Sequence, residues 1–163
     1  MATLKDFRDE RLRKLNELRS LGFNPYPSSS VRDRYIGDIV FNFDEKEGQT
    51  VVVAGRVQGI RKFGKLAFVV IKDASGSIQL FIREGILAPT EGAAGLIGVN
   101  DLSLLDSGDF VEASGKVIKT QTGEISIETT NLKLLAKALR PLPTQQEGFS
   151  NKEVNFGKAP VIL

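Results

Sequence analysis

The sequence contains no cysteine and no histidine among its 163 residues. Without cysteine there is no disulfide framework and no thiolate metal site. Without histidine the chain lacks the usual general base at neutral pH, the usual imidazole metal ligand, and every Ser-His or Cys-His arrangement. Chemistry would have to rest on Asp, Glu, Lys or Ser, a short list for an enzyme. Apolar runs of membrane-spanning length are also missing. The N-terminal "MATLKDFRDERLRK" has no signal-peptide core; its arginines suit an organelle presequence, but Asp6, Asp9 and Glu10 argue against one. The expectation is a cytoplasmic, unprocessed chain, long enough for one domain with an appendage and a core that needs no staples.

The net charge is only +2, yet it is unevenly placed: residues 1–34 and 131–163 each carry +3, and residues 35–130 carry −4. Basic ends around an acidic centre permit a polyanionic partner without requiring one.

Residues 3–21 read as a helix, with Thr3 as cap, Asp6 at the third helical position and Gly22 as the stop. Leu4, Phe7, Leu12, Leu15 and Leu18 lie near one side at helical spacing. The opposite face shows Lys5, Arg8, Arg13, Lys14 and Arg19, suited either to a phosphate backbone or to plain solvation. "FNPYPSSSVRDRY" is a loop, and residues 35–48 read as irregular or as one short helix. Strand patterns follow at 50–61, 65–72, 77–83, 109–119 and 124–135. Gly55 and Gly59 inside the first suggest a bulge or sharp bend, as where a small barrel curls. Asn100 or Asp101 can cap a short helix around Leu102–Leu105. "GAAGLIG" has no Walker Lys-Ser/Thr after it and reads as a flexible linker. The fold expected is mainly β with an N-terminal α-helix: a five-stranded antiparallel OB-fold barrel with a helix between strands three and four. Residues 1–48 form the entry helix and loop, 49–135 the barrel, and 136–163 a linker.

Strand alternation locates a site. If Ile78, Leu80 and Ile82 face the core, Gln79 and Phe81 look outward; if Ala67, Val69 and Ile71 face it, Phe68 and Val70 look outward. The open face of such a barrel takes single-stranded nucleic acid by stacking bases on aromatics, and a neighbouring amide can read a base edge. A strand as apolar as Leu66–Ile71 also fits burial on both faces. Arg61, Lys62 and Lys65, assigned to the loop "IRKFGK", suit a phosphate track or a solvated turn. Glu124, at the start of the fifth strand in "TQTGEIS", can accept hydrogen bonds from a base or serve turn chemistry alone.

The runs "AGRVQGIRKFGKLAFVVIKDASGSIQLFI", "DSGDFVEASGKVIKTQTGEISI" and "LKLLAKALRPLPTQQEGFSNKE", with the entry pattern "RxxKLxxLRxxGxNPYP", resemble the N-terminal, anticodon-binding part of class II lysyl-tRNA synthetases from about Leu4 to Glu153. Some pieces are shared with the aspartyl and asparaginyl relatives; "K-T-x-T-G-E-I-S" followed by "L-L-x-K-A-L-R-P-L-P" is particular to the lysyl family. The resemblance implies that Phe68 stacks on the middle uracil of the lysine anticodon, that Gln79 bonds its edge, and that Arg61 and Glu124 complete the pocket. It implies tRNA backbone contacts for the first helix, with Arg8, Arg13 and Lys14, and near Lys62 and Lys65. Family members continue through an Arg-rich stretch into a catalytic domain that holds ATP and magnesium, and they dimerise. Here "NFGKAPVIL" stands in place of that stretch. The expectation is therefore recognition without catalysis and no cofactor in this chain, which is then a fragment, a truncated product, a stand-alone relative, or the partner of a catalytic domain on a separate chain. A stand-alone OB-fold binder of single-stranded nucleic acid is the alternative.

Overall fold

The computed structural model describes residues 3–24, 30–138 and the two-residue strand at 161–162. Helix α1 (Leu4–Ser20) opens on a capping box: the Thr3 amide donates to Asp6 Oδ2 at 2.8 Å, and the Asp6 amide to Thr3 Oγ1 at 3.1 Å. Only the C-terminal half of α1 docks. Leu15 and Leu18 are buried, whereas Leu4 and Phe7 are exposed, so the expected apolar stripe is only half used. Residues 35–48 hold two short helices, α2 (Ile36–Phe41) and α3 (Phe43–Lys46), which bury Ile36, Ile39 and Phe43.

Five strands, β1 (Thr50–Phe63), β2 (Leu66–Asp73), β3 (Gly76–Arg83), β4 (Phe110–Lys119) and β5 (Ile125–Ala138), run in the order β3-β2-β1-β4-β5, and β3 then pairs with β5 to close a barrel. The closing pair is parallel and the other four are antiparallel, the OB-fold plan. The barrel is filled by alternate side chains: Val51, Val53, Val57, Ala67, Val69, Ile71, Ile78, Leu80, Ile82, Val111, Ala113, Val117, Ile127 and Leu132. Curvature enters where the register of β1 against β2 shifts between Val57 and Gly59, the bend foreseen from its glycines. At Gly115 a Cβ would lie 2.0 Å from the Glu128 carbonyl oxygen, so β4 meets β5 there too closely for any side chain.

Several expectations are corrected. The helix between strands three and four is not α-helical but two 3₁₀ segments, Gly92–Ala94 and Val99–Leu104. The second segment buries Val99, Leu102 and Leu104. The "GAAGLIG" run is packed rather than flexible: Gly92 lies against the Leu21 carbonyl, and the Ile97 amide donates to Leu132 O at 2.8 Å. Strand β1 runs to Phe63, so Arg61 and Lys62 belong to the strand and not to the loop; the turn is only Gly64 and Lys65, with Gly64 at φ 61°. Strand β5 runs past its expected end at 135. It stays paired with β4 as far as Ala136, so a barrel boundary at 135 falls inside a strand, and its Lys137 and Ala138 pair with strand β6 (Val161–Ile162). The expected linker, 136–163, lies outside the described residues apart from 136–138 and β6. Among the described residues no helix is long and apolar enough to cross a membrane.

A buried charge cluster holds β5 and α1 together. Lys137, 1% exposed, donates from Nζ to Asp106 Oδ2 at 2.8 Å and Asp109 Oδ2 at 2.7 Å. Asp109 Oδ1 accepts from the Ala138 amide at 2.8 Å, and Lys14 Nζ reaches Asp106 Oδ1 at 2.8 Å. Burial pushes the Asp109 carboxyl up against the pull of Lys137. Burial also opposes ionisation of Asp106, but the hydrogen bonds and charges of Lys137 and Lys14 hold it below the usual carboxylate range. A second carboxylate, Asp73, ties the β2–β3 turn to α2: Oδ2 accepts from the Ile36 amide at 2.9 Å, and Oδ1 from the Ser75 and Gly76 amides at 2.7 and 3.1 Å. Burial resists its ionisation, yet these bonds hold its carboxyl low.

Replacing Lys137 by Met leaves the buried Asp109 without its cation, while Asp106 keeps Lys14, and is expected to cost about 3–5 kcal/mol of stability, read as a lower urea midpoint at unchanged slope. Asp73 has its folded pKa below the unfolded value of about 3.9, so its contribution is complete above that value and is lost as pH falls through the lowered folded one. The difference in Tm between wild type and Asp73→Asn should therefore narrow below about pH 4; a gap that stays constant into acid refutes the charge-based account.

Candidate nucleic-acid interface

The register of β2 against β3 decides what shares the outer face. Phe68 is the Cα partner of Phe81, and Val70 the partner of Gln79, so the phenylalanine and the glutamine stand on the same side of the sheet. Phe68 is half-buried, not sealed in the core. Its ring meets Phe81 edge-on at 5.5 Å between centroids and Phe63 edge-on at 6.3 Å, the geometry aromatic quadrupoles favour. Arg61, opposite Phe68 in the β1–β2 register, places its guanidinium 5.8 Å from the Phe68 centroid, within cation–π reach.

An open groove of about 650 Å³ runs over this face. Arg61, Phe63, Phe68, Gln79, Phe81 and Arg83 line one side, and Ile118, Lys119, Thr120, Gln121, Thr122 and Glu128 the other. Three cations face a single carboxylate there, although residues 35–130 as a whole carry −4. Phe63 is 58% exposed, so a second ring is offered beside Phe68. The Gln79 amide sits low in the wall, 9% exposed, with Nε2 donating to Ser126 Oγ at 3.1 Å. The arrangement is a positively rimmed trough with aromatic rings and one amide, which can stack a base and bond its edge.

Of the residues singled out in the sequence, Arg61, Phe68 and Gln79 come together. Glu124 is exposed at the base of the β4–β5 turn but is not among the groove-lining residues. Its backbone is what the turn uses: the Thr120 amide donates to Glu124 O at 2.9 Å, and the Glu124 amide to Thr120 Oγ1 at 3.1 Å. Lys62 is exposed and donates from Nζ to the Val99 carbonyl at 3.4 Å, and exposed Lys65 pairs with Glu84 at 3.6 Å. On α1, Arg8 is exposed and Arg13 is braced by Glu10 and Glu17. Lys14 corrects the expectation of a backbone-facing cation. It lies three residues after Arg11 and four before Leu18, hence on the docking face, where it is engaged by Asp106. Glu128, Arg83 and Ser126 were missed. Alternation along "ISIET" turns Ser126 and Glu128 outward, but only the parallel pairing with β3 brings them beside Gln79 and Phe81. Among the described residues no three His, Cys, Asp or Glu side chains gather as a metal site.

Residues 51–135 match the tRNA anti-codon family, described as an OB-fold nucleic acid binding domain. The chain belongs to that family, and the trough lies where such a barrel receives its strand. Within that class its relatives are specific. It is similar to the lysine–tRNA ligase of Carboxydothermus hydrogenoformans, 37% identical over 153 residues, covering 94% of this chain and 30% of the relative. It is likewise similar to the lysine–tRNA ligases of Fervidobacterium nodosum, 40% identical over 158 residues, and Roseiflexus castenholzii, 41% identical over 153, covering 94% and 92% of this chain and 30% of each relative. The chain thus spans about 30% of the length of the curated relatives it matches.

If the groove cations neutralise phosphates, replacing Arg83 or Lys119 by Ala should reduce the slope of log affinity against log salt for single-stranded RNA by about 0.7 each. An unchanged slope would put the strand elsewhere on the surface.

Proposed function

We propose that this chain reads the anticodon of lysine tRNA and so serves lysyl-tRNA aminoacylation in translation. In this reading Phe68 stacks on the middle uracil, the Gln79 amide bonds its edge, and Arg61, already over the Phe68 ring, stiffens the platform. Glu124, at the groove's end, meets a neighbouring base. Arg8, Arg13, Lys62 and Lys65 meet the tRNA backbone. The single observation that carries the reading is the half-buried Phe68 ring and the Gln79 amide lining one groove, in a chain whose relatives are lysine–tRNA ligases. The ATP- and magnesium-dependent ligation belongs, on this proposal, to a catalytic domain outside the described residues, and the setting is the cytoplasm.

The physics of the site supports a division of roles. Stacking on Phe68 supplies affinity without regard to base identity, because every base has a π-face. Discrimination must come from the edge, and Gln79 carries both an acceptor and a donor.

The test is a titration of anticodon stem-loops that differ only in carrying U or C at the middle position. Tighter binding of the U loop is expected, and Phe68→Ala should lose about 1–3 kcal/mol of affinity. Equal affinity for the two loops removes the reading role of Gln79, and an unchanged Kd for Phe68→Ala removes the stacking.

A further inference from the structure

The amide of glutamine is an ambivalent reader. Turned one way it presents an acceptor at a given point, turned over it presents a donor. A base held at one place by a stacked ring offers its N3 to that point: uracil carries a donor there and cytosine an acceptor. A Gln79 amide free to turn over would serve both pyrimidines. Selectivity requires something that holds it one way.

The structure holds such a group. Ser126 is wholly buried and is the Cα partner of Gln79 in the parallel β3–β5 pairing. Its hydroxyl has one hydrogen, which is donated to the Glu124 carbonyl at 3.3 Å. That carbonyl is itself pinned by the Thr120 amide at 2.9 Å. With its hydrogen committed, Ser126 Oγ can meet Gln79 only as an acceptor, and it does so at 3.1 Å from Nε2. A turned-over amide would set its carbonyl oxygen against an oxygen with no hydrogen to give, or would force Ser126 to abandon Glu124. Among the described residues no other side chain bonds the amide, so Oε1 and the second Nε2 hydrogen are left for a ligand.

We infer that Ser126 is the positioning residue that fixes the Gln79 amide, and thereby sets which pyrimidine the groove accepts. The inference rests on the proposed reading of the middle base by Gln79. Glu124 takes part through its backbone carbonyl, and the β4–β5 turn therefore acts on specificity at one remove from the ligand.

The experiment has two readouts on wild type, Ser126→Ala and Ser126→Thr. The first is the ratio of affinities for the U and C stem-loops. The second is the side-chain amide resonance of Gln79 in the free protein by NMR. Ser126→Ala should lose about tenfold of the U-over-C ratio, the equivalent of one neutral hydrogen bond, with a smaller change in affinity for the U loop. Ser126→Thr keeps a hydroxyl and should restore the ratio. The Gln79 amide should be shifted and slow to exchange in wild type and Ser126→Thr, and should move to the position of a solvated amide in Ser126→Ala. Should the alanine variant fail to fold, Ser126→Cys, close in volume and a poor acceptor, replaces it. An unmoved resonance overturns the positioning role. A moved resonance with an unchanged ratio overturns the link to specificity. If wild type itself binds the two loops equally, base reading by Gln79 falls, and the amide resonance alone decides whether Ser126 orients it.

Discussion

Three rungs of parallel backbone pairing between β3 and β5 make this barrel a closed object, and the site exists because of them. The middle rung, Leu80 with Ile127, points inward and both side chains are wholly buried. The flanking rungs, Gln79 with Ser126 and Phe81 with Glu128, take the other face, where Gln79, Phe81 and Glu128 line the groove and Ser126 lies buried behind Gln79. A slip of one residue would turn Leu80 or Ile127 out to water at about 1.5–3 kcal/mol each. The aliphatic core thus fixes the register, and the register fixes which polar group each groove residue meets. The geometry of recognition is inherited from packing on the other face of the same strands.

The charges divide in the same way. Lys14 and Lys137 come from the basic ends of the chain, yet both are engaged by Asp106, and Lys137 also by Asp109. Two ammonium groups removed from water need such partners to be tolerated at all. The cluster ties α1 to the loop before β4 and keeps the end of β5 on the barrel. The cations that face the groove are others, Arg61, Arg83 and Lys119. Net charge by segment therefore misleads: the acidic middle of the chain carries the positive trough, and part of the basic ends is internal structure.

How much was legible follows from which interactions are local. The period-two alternation in β2 and β3 was enough to set Phe68 and Gln79 on one face, because the core leaves alternation no choice. The capping box at Thr3 and Asp6 was equally readable, since its partners are three residues apart. Arg61 was assigned to a loop because no single-strand pattern shows how far a hairpin runs past its apolar part. Ser126 and Glu128 were invisible as site residues because their neighbours lie across the barrel closure, some fifty positions away in the chain. The Lys137 cluster was missed for the same reason: Lys137 fell in the expected linker, and nothing local shows Asp106 and Asp109 beside it.

If the groove reads a base as proposed, the closure also supplies a way for it to be selective. Rings such as Phe68 and Phe63 can hold almost any base, and exposure keeps their contribution independent of sequence. On the proposed reading selectivity rests on one amide, and an amide has two ends of opposite hydrogen-bonding sense. Solvent would let it sample both. Burying its root against Ser126, whose hydroxyl proton is held by the Glu124 carbonyl two residues earlier, itself bonded by the Thr120 amide, turns a chain of three hydrogen bonds into a fixed polarity. A hydrogen bond of that kind contributes little to stability, about 0.5–1.5 kcal/mol. The same amount decides the choice between two bases, because there only the difference between the two amide orientations counts.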